Sequence, residues 1–113
     1  MQTYWHVTPA SKVRKILLEG LRPQFFKGAA LYEADKYALF LWEYKQEAIS
    51  FLSDLLQEED VPPNRIYALL RIKIPYRIPL QEDEFDLLYT TVRIPPQFIK
   101  VMHIESLVKW VGM

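Results

Sequence analysis

Ile66-Tyr67-Ala68-Leu69-Leu70-Arg71-Ile72-Lys73-Ile74 is the stretch from which the fold class follows. Ile66, Ala68, Leu70, Ile72 and Ile74 alternate with Tyr67, Leu69, Arg71 and Lys73, the two-residue period of a strand with one face buried. A different period governs the N-terminal third. Val13, Ile16, Leu17 and Leu21 recur at helical spacing, with Lys12, Arg14, Lys15 and Glu19 on the other faces. One chain carrying both periods, with strands grouped in its second half, reads as α+β.

Working outward, Thr3 to Val7 suits a first strand, and Thr8-Pro9 offers an N-cap followed by proline at the first helical position. A helix is expected over 10–19, stopped by Gly20 ahead of Pro23. Residues 21–36 show no sustained period and are expected to form an irregular connection. Tyr37 to Trp42 reads as a buried strand running into a helix over 43–59, with Tyr44, Ala48, Leu52 and Leu55 as its apolar stripe and Ile49 and Leu56 beside them. That helix is expected to fray at Glu58-Glu59-Asp60 and to break before Pro62-Pro63. Beyond Pro75 and Pro79, Glu82-Asp83-Glu84 reads as a solvated link, Leu87 to Ile94 and Ile99 to Ile104 as strands, and Leu107 to Val111 as a last short strand. The expected architecture is two helices packed on a strand-rich split sheet, in one domain spanning 1–113.

Composition narrows the function classes. The 14 basic and 14 acidic residues cancel and alternate along the chain, which argues against a nucleic-acid footprint through Arg71, Lys73, Arg77 and Arg93 and against a polybasic membrane anchor. No apolar run approaches the roughly 18 residues of a membrane span, and the first residues lack the pattern of a secretory leader, so a cytoplasmic location is expected. With no cysteine, disulfides, thiolate ligands and a thiol nucleophile are all excluded. The chain has no glycine-rich phosphate loop, no nucleophile elbow and no metal-ligand pair at helical spacing.

The residues able to carry chemistry are therefore few. His6 stands at the end of the first strand, immediately ahead of Thr8-Pro9; a strand histidine satisfied by a neighbouring backbone group and a ligand contact are both open readings. His103, in a late strand, reads as packing. Phe40, Trp42, Tyr44 and Phe51 suit either core or a ring-lined pocket. Glu82, Asp83, Glu84 and Asp86 read as a solvated acidic loop or a source of a catalytic carboxylate, and their spacing is not that of a calcium loop. The adjacent Phe25-Phe26 suits a loop anchor or a surface for a protein partner.

Tyr4-Trp5-His6-Val7-Thr8-Pro9, followed by Ile16-Leu17 and Gly20-Leu21-Arg22-Pro23, resembles the opening segment of small ADP-ribosyltransferase-like proteins and of the related RNA 2′-phosphotransferases. Phe40-Leu41-Trp42 with Ala48 and Phe51 is similar to the middle motif of that superfamily, and Leu87 to Ile99, containing Ile94-Pro95-Pro96-Gln97-Phe98-Ile99, to the last. The resemblance spans residues 4–102 in short segments. It implies an ADP-ribosyltransferase-like fold and NAD as ligand, with His6 hydrogen-bonding a ribose hydroxyl, Thr8 shaping the pocket, and Phe40 and Phe51 flanking the nicotinamide. Phe40 stands where the family carries a stacking tyrosine. The family's late glutamate has no counterpart in Asp86-Leu87-Leu88-Tyr89, leaving Asp86 as the nearest acid. Cleaving a nicotinamide–ribose bond makes the ribose electron-poor, and a carboxylate there stabilises the developing charge. The resemblance thus implies a nucleotide-binding, NAD-dependent transferase or a binding domain that has lost its acid. A protein-interaction or inhibitor module on the same fold is the alternative.

Overall fold

The computed structural model describes residues 1–26, 36–57, 61–82 and 87–110. Its elements run in the order β1 (Gln2–Pro9), α1 (Val13–Glu19), β2 (Gln24–Phe26), β3 (Lys36–Leu41), α2 (Lys45–Leu56), β4 (Ile66–Ile74), β5 (Gln81–Glu82), β6 (Leu88–Thr90), β7 (Ile99–Ser106) and α3 (Leu107–Trp110). Two antiparallel sheets form, one ordered β1-β4-β7 and the other β2-β3-β6-β5. The α+β class expected from the two periods is what the chain adopts.

β4 matches the alternating stretch residue for residue but is not one-sided. As the central strand it buries Tyr67, Ala68, Leu69 and Leu70 in succession. Ala68, Leu70, Ile72 and Ile74 point into one core with Tyr4, Ile16, Leu21, Leu39, Leu41 and Ile94, while Tyr67 and Leu69 point into a second with Val7, Trp42, Ala48, Leu52, Leu107 and Trp110. Each fully buried aliphatic side chain of this kind contributes about 1.5–3 kcal/mol. Removal of cover on the second face begins at Arg71 and Lys73, where the strand turns polar.

The two sheets are stitched at Trp5 and Trp42, whose backbones exchange hydrogen bonds of 2.8 and 2.9 Å. A second stitch joins Leu21 and Ile94 at 2.9 and 2.8 Å. It requires Gly20: the residue ends α1 with its N–H on the Ile16 carbonyl (2.7 Å) and takes φ +86°, ψ −180°, and a Cβ there would run into the carbonyl oxygen of Ile94.

Several local expectations change. Residues 10–19 are a 3-10 turn (Ala10–Lys12) followed by α1, and Thr8-Pro9 belongs to β1 instead of capping the helix. Thr8 is buried, its hydroxyl lies 3.5 Å from the Pro9 carbonyl oxygen, and neither the 3-10 turn nor α1 has a side-chain cap bond. Leu17 and Leu18 face outward while Ile16 is buried. In the expected irregular connection, Gln24–Phe26 pairs with Lys36–Ala38. Tyr44 leaves the α2 stripe because it is the extended N-cap residue, φ −119°, ψ 134°, and its side chain is exposed. The strand expected over 87–94 is shortened to Leu88–Thr90.

Residues 107–110 form a helix, not a strand. Leu107 and Trp110, three apart, are both buried, and the Trp110 indole N–H is shared between the carbonyls of Tyr67 (3.3 Å) and Glu105 (3.0 Å). A strand would send those two side chains to opposite faces. The described chain therefore carries three helices where two were expected. The fraying expected at Glu58-Glu59-Asp60 and the acidic link at Asp83 to Asp86 lie outside the described residues, as do the side chains of Phe25 and Phe26. Among the described residues no helix is long and apolar enough to cross a membrane.

Candidate functional site

Between the end of β1, helix α1, strand β3 and helix α2 lies a cavity of about 610 Å³. His6, Thr8, Phe40 and Phe51, the four residues singled out as ligand-binding, all line it. They come from three separate elements. β1 supplies His6 and Thr8, β3 supplies Phe40, and α2 supplies Phe51 one turn beyond the buried Ala48. The Trp5–Trp42 stitch holds the end of β3 against β1, which brings the Phe40 carbonyl to His6.

The imidazole is half satisfied. His6 Nδ1 lies 2.7 Å from the Phe40 carbonyl oxygen. A carbonyl only accepts, so this nitrogen carries the proton and donates, leaving Nε2 as the acceptor of the neutral ring. Burial lowers the His6 pKa below its ordinary 6.5; the Phe40 hydrogen bond opposes that shift and the Lys12 charge adds to it. The expectation of a backbone-satisfied histidine is met at Nδ1, and Nε2 remains an acceptor.

Around this ring the walls divide by chemistry. Phe40, Trp42, Phe51, Leu39 and Leu55 make an apolar side, with Phe51 tilted on Trp42 at 5.1 Å and Phe40 tilted on Tyr89 at 5.9 Å between ring centroids. Lys12, Lys15 and Arg22 add three cations to the lining. Glu19 is the only carboxylate among the described lining residues. Its Oε2 is buried without a hydrogen-bond partner, and Lys15 Nζ stands 3.9 Å away, beyond hydrogen-bonding reach. The rest of the side chain is partly exposed, at the negative end of α1. In the sequence Glu19 looks like any surface charge of the helix, and only its place directly ahead of Gly20 sets it apart.

Asp86, the other acid named from the sequence, lies outside the described residues, although its neighbour Leu87 lines the cavity. His103 takes no part: it is exposed on β7, edge-on to Trp110 at 5.0 Å, with Glu105 at 3.9 Å. Arg93 is likewise structural, with Nε (2.9 Å) and Nη2 (2.6 Å) both donating to the Glu19 carbonyl at the end of α1. No group of three or more potential metal ligands occurs among the described residues. In comparisons with protein-family models, curated proteins and solved structures, nothing matches this chain.

Proposed function

We propose that the domain is ADP-ribosyltransferase-like and binds NAD or a closely related nucleotide in the His6 cavity. One observation carries the reading: four residues chosen from the sequence for one ligand line one cavity. Its chemistry suits a dinucleotide. Ring-lined walls of Phe40 and Phe51 accept a flat nicotinamide, Nε2 of a neutral His6 accepts a hydrogen bond from a ribose hydroxyl, and Lys12, Lys15 and Arg22 answer a pyrophosphate. For bond cleavage the electron-poor ribose needs a carboxylate. On this reading Glu19 is the candidate within the described wall, beside the Asp86 named from the sequence.

The test is isothermal titration of the protein with NAD, run with two variants. His6→Ala removes the ring. His6→Asn keeps an amide donor near the Phe40 carbonyl while deleting the Nε2 acceptor. Binding by the wild type, weakened about tenfold in both folded variants, supports the assignment, the loss of one hydrogen bond to a ligand being worth about 1 kcal/mol or more. Equal affinity of wild type and His6→Asn would remove His6 from the site, and no binding to the wild type would favour the interaction-module alternative.

A further inference from the structure

The β1-β4-β7 sheet has a face that the helices cover only in part. Tyr67 and Leu69 on that face sit beneath α2 and α3, but Arg71 and Lys73, the next two residues pointing the same way, do not belong to either core. Arg71 is paired directly with Lys100 of β7. Two like charges directly opposite on neighbouring strands are destabilising, and here no carboxylate relieves them: none of Arg71, Lys73 and Lys100 has a salt bridge among the described residues. Arg71 Nε is moreover buried with no hydrogen-bond partner. Gln97 and Phe98 join these three cations around a shallow cleft that shares no lining residue with the His6 cavity. Phe98 packs edge-on against the exposed Tyr76, their ring centroids 5.8 Å apart.

We propose that this cleft binds the phosphodiester backbone of single-stranded nucleic acid, with Arg71, Lys73 and Lys100 on phosphates and the Phe98–Tyr76 pair offering a ring to a base. Cations set beside aromatic rings, with no acid among the described lining residues, form the combination that single strands bind through backbone charge and base stacking. The planar guanidinium of Arg71, at the wall of the cleft, suits a phosphate. The zero net charge of the chain does not oppose this, because that sum averages over faces while a strand meets only one. The inference is independent of the nucleotide reading of the His6 cavity.

The experiment is fluorescence anisotropy of a labelled 12-nucleotide single strand, in DNA and RNA forms, titrated with the full chain from 50 to 200 mM salt. Three phosphate contacts predict a slope of about −2 in log affinity against log salt, a loss of about 20-fold over that range. Lys73→Gln with Lys100→Gln, both exposed and tolerant of substitution, should weaken binding to every sequence and flatten the slope to about −0.7. NAD titration of the same double variant should be unchanged. No binding at 50 mM salt, an unaltered slope in the double variant, or equal competition by a polyglutamate peptide would each overturn the proposal.

Discussion

Replacing Gly20 with alanine probes the joint on which both the fold and the cavity depend. Gly20 adopts φ +86° with ψ −180°, a region open essentially to glycine alone, and forcing another residue into it costs about 1–3 kcal/mol. The added Cβ also meets the Ile94 carbonyl, the acceptor for Leu21 N–H, so relief of the clash separates the Leu21–Ile94 bridge and its two hydrogen bonds at about 1 kcal/mol each. Together the expected loss is about 3–5 kcal/mol, a large part of the roughly 5–15 kcal/mol that holds a domain of this size together. At about 4 °C per kcal/mol this lowers the melting temperature by about 10–20 °C. Urea and thermal unfolding of Gly20→Ala beside Leu18→Ala, an exposed position on the same helix expected to stay within about 0.5 kcal/mol, measure it. A Gly20→Ala loss under about 1 kcal/mol would refute the argument that the stitch requires glycine.

Trp110→Phe deletes the indole N–H shared by the Tyr67 and Glu105 carbonyls and part of a buried ring, and should cost about 2–4 kcal/mol in urea unfolding; a loss below 1 kcal/mol would deny α3 its anchoring role. Ala48→Leu places a larger side chain where α2 is fully buried, with an expected loss of about 1–3 kcal/mol by the same assay. The lowered pKa of His6 means that the unfolded chain binds a proton more readily than the folded one. Its contribution to stability is therefore complete above about pH 6.5 and is lost as pH falls through the lower folded value. Denaturation midpoints between pH 8 and pH 5 should fall for the wild type more than for His6→Asn, and equal falls would place the titration elsewhere.

The parts of this fold that the sequence reveals are those governed by repeated local patterns. Nine residues of alternation suffice to find β4, though not to show that it is central, because its partners β1 and β7 come from the two ends of the chain and their pairing leaves no local pattern in β4 itself. Gln24–Phe26 is too short for any period to register, and its pairing with β3 is a tertiary event. Val108 and Val111 give the last segment a β-like composition, yet the hydrogen bonds of Trp110 decide for a helix. Of the cavity's lining, His6, Thr8, Phe40 and Phe51 stand in the segments that carry the family resemblance, which is what picks them out. Glu19 is not singled out in the same way, because a glutamate late in a helix looks like any solvated charge until the other elements that wall the cavity are placed. Lys12 and Lys15 escaped for the same reason.

The most direct test of the central claim is the ¹⁵N spectrum of the imidazoles, which holds only two histidines to assign, recorded at neutral pH with and without NAD. His6 is expected to be the neutral tautomer protonated at Nδ1, and NAD to shift its Nε2 resonance while leaving His103 in place. A proton found on Nε2 instead, or a His6 resonance unmoved at saturating NAD, would contradict it.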